Sequence, residues 1–291
     1  MKQKLLFIVN PLAGGGKRSS GIEHNIGLQL NCTRYDAEVR YTRYPGHATE
    51  LAKASDAVCV VAVGGDGTVN EVASGLVGTG KVLGIIPCGS GNGFANHLGI
   101  SRNLNEAIRV INEGASFASD YATINGTPFL CSCGVGLDAD VSYAFSSSKK
   151  RGHITYVFKT ITRVLCCKEQ QYSLAYNGIE VKVSAIMITV GNANQWGNNY
   201  YICPDASLQD GILDVTILHK FPVCLAPVLV GKLLRRKITS SKYVESIKCR
   251  NITITRKSTG PAHCDGTPFM AGSVIRVQVV PKGMNVLSPL A

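Results

Sequence analysis

At 291 residues, 45% of them hydrophobic and 17% charged, the chain is long and apolar enough for one large domain or two modest ones, which excludes disorder. Its apolar runs fall well short of the ~20 residues that span a bilayer, so no transmembrane helix is expected. With 30 basic and 19 acidic residues the net charge is +11, a balance that suits nucleic acid, an anionic membrane face or a phosphorylated ligand as partner.

The first strand is predicted over residues 5–9. Asn10-Pro11 ends this apolar segment after Leu5-Leu6-Phe7-Ile8-Val9, too short for a secretion signal, whose core needs at least ~7 residues. The segment from Asn10 to Lys17 imitates a P-loop but has Pro11 at the first glycine position and Arg18 at the Ser/Thr position. Further strands are predicted over 37–41, 58–63 and 82–86. Helices are predicted over 20–30, 47–54, 69–76, 93–98 and 104–113. That alternation predicts a parallel sheet with crossover helices, whose strand ends line up along one edge. The loops 10–16, 42–46, 64–68 and 87–92 should therefore converge on one crevice.

Two of these loops carry the strongest chemical signal. Gly64-Gly65-Asp66-Gly67-Thr68 follows an apolar strand and feeds a helix, the place where an α/β protein holds a phosphate on backbone N–H groups. The glycines are expected to adopt positive φ and to let the backbone approach a ligand. Asp66 is out of place among anion donors unless a metal ion or a proton-transfer role compensates it. The second loop, Pro87-Cys88-Gly89-Ser90-Gly91-Asn92, offers the Ser90 hydroxyl to a phosphate oxygen and Asn92 as a helix cap.

From residue 119 onward the texture turns to short β-like runs. Asn125-Gly126 and Asn177-Gly178 are two-residue hairpin signals, and more strands are expected over 186–190, 213–218, 251–255 and 274–280, making a sandwich. Two helical stretches, 155–167 and 225–236, carry basic residues beside apolar ones. Residues 149–168 hold six basic residues and no acid between Lys149 and Lys168, and residues 232–257 hold nine against Glu245 alone. No aromatics interleave with these charges as they do in single-strand binders, which disfavours nucleic acid. An anionic membrane surface and a simply solvated basic face both stay open. The 11 cysteines form no Cys-x-x-Cys pair, and reduced, mostly buried thiols of a cytosolic protein are expected.

Asn10-Pro11-x-Ala13-Gly14, Gly46-His47-Ala48, Gly64-Gly65-Asp66-Gly67-Thr68-x-Asn70-Glu71 and Gly89-Ser90-Gly91-Asn92 come in the order of the diacylglycerol kinase catalytic-domain family, which contains soluble bacterial lipid kinases, sphingosine kinase and ceramide kinase. The resemblance continues through Gly134 to Ala139, Gly191-Asn192 and Pro204 to Asp214, nearly the whole chain. It implies an α/β nucleotide-binding domain over 1–118, to which 278–291 returns, and a β-sandwich lipid-substrate domain over 119–277, with ATP in the crevice between them. It implies ATP contacts at Asn10, Thr42, Gly64, Gly65, Asp66, Gly67, Thr68, Val69, Asn70 and Ser90. A structural Mg²⁺ is implied at Asp210 through its side chain and at Ser207 and Ile212 through their carbonyls, with a second Mg²⁺ arriving on ATP.

The implied activity is transfer of the γ-phosphate of ATP to a lipid hydroxyl, diacylglycerol or a sphingoid acceptor; the cysteine pattern and the charge distribution add the expectation of a cytoplasmic protein, peripheral at the membrane through 149–168 and 232–257. The family places a general-base Glu after an Asp-Gly pair; here Asp265-Gly266 is followed by Thr267, whose hydroxyl is no base near neutral pH. Three readings stay open: Asp66 or Asp265 takes the proton, a loose transition state needs little base, or the chain is a weak or inactive kinase that senses nucleotide or lipid. NAD kinase, which shares the Gly-Gly-Asp-Gly turn, is the alternative enzyme, although Gly89-Ser90-Gly91-Asn92 stands where its own signals belong.

Overall fold

The computed structural model describes residues 2–16, 21–146 and 168–289. The chain divides into two compact units, residues 1–120 with 282–291, and residues 121–281.

In the first unit, strands β1 (Gln3–Val9), β2 (Tyr35–Tyr41), β3 (Cys59–Gly64) and β4 (Val82–Pro87) lie parallel in the order β2-β1-β3-β4. Near the C-terminus Asn285 and Val286 pair parallel with Val82 and Leu83. Leu5 to Val9 and Val60 to Val63 are all buried, which is why these strands read as continuous apolar runs: a parallel sheet is covered on both faces. The covering helices are α1 (Ile22–Gln29), α2 (His47–Ala54), α3 (Asp66–Leu76), α4 (Gly93–His97) and α5 (Leu104–Glu113). The Asn103 side chain caps α5 by accepting from Asn105 N and Glu106 N, and Ala107, Ile108 and Ile111 face the core. Helices α2 and α3 approach closely because Gly75 has no side chain; a Cβ there would lie 2.6 Å from the Thr49 carbonyl oxygen.

In the second unit the chain forms β5 (Ala115–Ile124), β6 (Thr127–Phe129), β7 (Ser132–Gly136), β8 (Gln170–Tyr176), β9 (Ile179–Ala185), β10 (Met187–Gly191), β11 (Leu213–Leu218), β12 (Val244–Cys249), β13 (Asn251–Arg256), β14 (Gly260–Cys264), β15 (Thr267–Ala271) and β16 (Val274–Ser288). The first residues of β5 and the last of β16 belong to the first unit. One antiparallel sheet has the order β12-β11-β10-β7-β14-β15, and a second joins β16, β13, β8 and β9, with β5 and β6 paired beside β16. Val135, Ile188 and Val215 of the first sheet share a buried core with Tyr172, Leu174, Ile252 and Ile254 of the second, the sandwich expected from the alternation. Helices α6 (Leu137–Ser146) and α7 (Ala226–Leu234) flank it.

Both Asn-Gly turns are two-residue hairpins, with Asn125 (φ 49°), Gly126 (φ 86°), Asn177 (φ 47°) and Gly178 (φ 79°) all left-handed. The helix expected over 155–167 lies outside the described residues, as do Lys17 and Arg18.

Candidate functional site

The carboxyl edge of the parallel sheet gathers the loops that the strand pattern sends there. Asn10 ends β1, and its side-chain amide donates to Thr68 Oγ1 at 3.1 Å while its carboxamide oxygen accepts from Leu12 N at 3.0 Å. Thr42 follows β2, its N–H donating to the Val9 carbonyl at 2.9 Å. Gly64 ends β3, and α3 begins at Asp66, three residues earlier than the apolar spacing predicts, because Val69 N donates to Gly65 O at 3.0 Å and carries the helix back to the turn. Thr68 and Val69 are buried within that first turn, Asn70 is half-buried, and Ser90 is exposed at the tip of its loop. The N-terminus of α3, its positive dipole end, is thus set at this edge.

The glycines serve a purpose other than the one expected. Gly64, Gly65 and Gly67 do not adopt positive φ; Gly65 sits at φ −94°, ψ −172°, ordinary extended backbone. Their requirement is space. A Cβ on Gly89 would lie 2.4 Å from Gly65 Cα, and one on Gly64 would lie 2.5 Å from Thr68 Cβ, so the two loops pack main chain against main chain. At Gly67 nothing lies within 4 Å of where a Cβ would be.

Asp66 holds this junction together. Its carboxylate accepts from Asn92 N at 2.8 Å and from Gly93 N at 2.6 Å, at the first turn of α4. Asn92 in turn accepts from Gly89 N at 2.9 Å and donates back to the Gly89 carbonyl at 2.9 Å. The acid that looked misplaced among anion donors is therefore a cap for the neighbouring loop, neutralised in part by two main-chain dipoles. Arg102, which no sequence motif marks, donates to the carbonyls of Gly89 (3.1 Å) and Ser90 and clamps the loop from outside.

In the sandwich unit the Asp265-Gly266 pair is a third two-residue hairpin, joining β14 to β15 with φ 45° and 76°. The Asp265 carboxylate accepts from Leu130 N (2.9 Å), Cys131 N (2.8 Å) and Ser132 N (3.0 Å), pinning this hairpin to the start of β7. Thr267 opens β15 and is exposed. Beside this turn lies a buried polar cluster that is dispersed in sequence. His263 Nε2 is 3.0 Å from Asp138 Oδ2, Thr189 donates its hydroxyl to the same oxygen, and Ala139 N donates to Asp138 Oδ1 at 2.8 Å. Gly266 N donates to His263 Nδ1 at 3.4 Å, which leaves Nε2–H to face the carboxylate in the neutral ring. Gly134 is needed there, since a Cβ would meet Asp138 Oδ2 at 2.3 Å.

The aspartate-rich loop before β11 carries Ser207, Asp210 and Ile212. Asp210 accepts from Ile212 N at 3.0 Å through Oδ1, with Gly211 left-handed at φ 68°. Asp214 is buried, and its Oδ2 has no hydrogen-bond partner. Burial pushes its carboxyl above the usual range; Lys248, 3.4 Å away, opposes this, and Asp210 and Asp205 add to it. Among the described residues no three His, Cys, Asp or Glu side chains cluster as a metal site, so a cation here needs main-chain oxygens in its shell. The orphaned Asp214 oxygen, the negative field and the hard oxygen donors of Asp210, Ser207 and Ile212 fit Mg²⁺.

Of the two basic stretches, only the second lies wholly within the described residues. Residues 149–167 of the first fall outside the described residues, apart from Lys168 at its end. The second is not one face: the Arg256 guanidinium is buried and donates to the carbonyls of Gly260 (2.6 Å), Pro261 (2.8 Å), Ala271 (2.8 Å) and Gly272 (3.2 Å), because strand alternation turns it inward. All nine described cysteines are free thiols, seven of them buried. Burial pushes Cys59 and Cys203 up to about 12.

Comparison with known proteins follows these two units. The family described as diacylglycerol kinase catalytic domain matches residues 4–124, and that described as YegS C-terminal NAD kinase beta sandwich-like domain matches 131–288. A protein of Yersinia enterocolitica named "Probable lipid kinase YegS-like" is 28% identical over 258 residues, 85% of this chain and 83% of its own. The "Diacylglycerol kinase" of Bacillus subtilis is 28% identical over 241 residues, 80% of this chain and 79% of its own. A crystal structure of a diacylglycerol kinase from Bacillus anthracis str. Sterne has the same fold, with a TM-score of 0.77 at 23% identity, covering 98% of this chain and 97% of that one.

Proposed function

This chain belongs to the diacylglycerol kinase catalytic-domain family, and on that premise we propose that it is a lipid kinase that transfers the γ-phosphate of ATP to the hydroxyl of a diacylglycerol or sphingoid acceptor. The observation that carries the reading is the main-chain contact of Gly65 with Gly89, locked by Asp66 across Asn92 and Gly93. It holds two glycine loops and the N-terminus of α3 as a fixed anion cradle.

In this reading the triphosphate lies against the main chain of the turn and first helical residues at 65–68, with Asn10, Thr42 and Ser90 as side-chain donors around it. The open space at Gly67 lets a phosphate approach the main chain. Asp66 is a positioning residue: by accepting from Asn92 N and Gly93 N it keeps the two loops in register. Mg²⁺ on ATP supplies neutralisation of phosphate charge, and a structural Mg²⁺ would be held by Asp210, Ser207 and Ile212 and would relieve the buried charge of Asp214. Phosphoryl transfer asks a protein mainly for positioning and charge neutralisation, so a chain with Thr267 in place of a carboxylate retains turnover at a reduced rate. Asp265 does not replace the missing Glu, since three main-chain N–H groups occupy its oxygens.

The test is incubation of purified protein and labelled ATP with diacylglycerol, sphingosine, ceramide and NAD in mixed micelles. Label is expected in one of the lipids. Label in NADP alone overturns the reading, and ATP binding without transfer to any lipid favours a sensor that has lost catalysis, a reading that rests on Thr267.

A further inference from the structure

Helix α7 reads Ala-Pro-Val-Leu-Val-Gly-Lys-Leu-Leu, with one charged residue, Lys232. A helix this apolar is ordinarily buried on all sides. Here Leu229 faces the core, while Val228 is 53% exposed, Val230 41% and Leu234 46%; Val223, in the turn before the helix, is 41% exposed. At about 100° per residue, Pro227, Val228, Val230 and Leu234 fall on the half of the helix opposite Leu229. The outward face is thus the apolar one.

Charge surrounds it. From Lys220 to Val244 the sequence has no Asp or Glu, while Lys220, Lys232, Arg235, Arg236, Lys237 and Lys242 are cations. Among the described residues none of these six forms an ion pair with a carboxylate. Arg236 lies over the Tyr201 ring at 4.2 Å, and Lys232 Nζ donates to the Ser240 carbonyl and hydroxyl oxygens at 3.0 Å each. Between α7 and residues 240–243 runs a groove of about 340 Å³, with Leu225, Val228 and Leu229 as its apolar wall and Lys232 and Lys242 among its polar lining.

We propose that this face docks on an anionic lipid bilayer, with α7 in the interfacial plane, Val223, Val228, Val230 and Leu234 at the headgroup–acyl boundary, and Arg235, Lys237 and Lys242 against lipid phosphates. An apolar stripe flanked by cations is the physical complement of such a surface. A second copy of the chain fits poorly, because a two-fold contact would set these cations against each other. The inference takes its purpose from the lipid-kinase reading; the binding itself stands on the helix and its charges.

The experiment is vesicle flotation of the full chain. Binding to equimolar phosphatidylglycerol and phosphatidylcholine is expected to be roughly tenfold or more tighter than to phosphatidylcholine alone, and to weaken as salt rises. The pair Val228→Asp with Leu234→Asp, and separately Arg235→Glu with Lys237→Glu, should each weaken binding by roughly tenfold. Their melting temperatures should stay unchanged, and Val274→Asp, an exposed apolar site elsewhere, should bind as wild type. Wild-type indifference to anionic lipid, folded variants that bind as tightly as wild type, or a wild-type dimer that the variants split would overturn the proposal.

Hydrogen exchange on the unaltered chain gives a second readout: vesicles should slow exchange across 223–242, and protection confined to other segments overturns it. Phosphoryl transfer to a dispersed short-chain diacylglycerol separates the two claims. Its absence sinks the kinase reading and leaves the vesicle result standing, whereas transfer without vesicle binding sinks the docking surface alone.

Discussion

Each unit contains an aspartate followed by glycine at a point where chemistry was expected, Asp66-Gly67 and Asp265-Gly266, and the two pairs are built in opposite ways. Asp66-Gly67 starts a helix, and neither residue is left-handed; Asp265-Gly266 is a hairpin with both residues left-handed. Yet both carboxylates receive main-chain N–H groups, two at Asp66 and three at Asp265. The difference lies in what the cap secures. Asp66 joins two loops whose backbones touch at an open edge, whereas Asp265 pins one hairpin to a strand inside a sandwich. An Asp-Gly pair therefore says little about catalysis until the donors around its carboxylate are known.

The comparison breaks most sharply at Asp66. Asp66→Asn keeps one acceptor and loses the other, so the Asn92–Gly93 turn shifts against Gly65; turnover should fall about a hundredfold or more while circular dichroism stays native. Unchanged kcat would remove Asp66 from the site. Asp265→Ala should act on stability instead. It strands three N–H groups and places Ala at φ 45°, so urea unfolding should show a loss of about 3 kcal/mol or more, while Asp265→Asn, tolerant of the left-handed region, loses less. A loss of turnover in Asp265→Asn at full stability would restore Asp265 to the chemistry.

Thr267→Glu should raise kcat about tenfold, since a base supplies that order of acceleration or more. A flat or lower rate means that the proton leaves by another route.

The smallest effect is expected at Asp214. Its raised carboxyl pKa means that the folded state holds the proton more tightly than the unfolded chain does. The buried charge is thus destabilising at neutral pH, and the penalty is relieved as pH falls through the raised value toward the ordinary 3.8. Asp214→Asn should remove that pH dependence from the melting curve, raise the melting temperature slightly without Mg²⁺, and shrink any Mg²⁺-induced rise. A Mg²⁺ response equal to wild type would detach Asp214 from the cation.

Much of this was legible in the chain. Continuous apolar runs marked β1, β3 and β4 because both sheet faces are covered, and Asn125-Gly126 and Asn177-Gly178 marked their hairpins because few residues tolerate two left-handed positions. Asp265-Gly266 is the same turn signal, yet its place in a family motif drew attention to chemistry ahead of conformation. The roles of Gly65, Gly89 and Gly134 were hidden, since a glycine needed for closeness looks the same in sequence as one needed for positive φ. Strand alternation likewise turned Arg256 inward out of an apparently uniform basic stretch.

By itself the sequence determined the parallel α/β unit, the β-sandwich and the order of the glycine loops, because periodicity and turn chemistry are local and act within a few residues. Only the tertiary structure decided which groups meet: Asp66 with Asn92 and Gly93, Asp265 with 130–132, and His263 with Asp138 and Thr189. Hydrogen bonds and close packing depend on where distant segments are brought by the sheet order, and residue spacing along the chain does not carry that information.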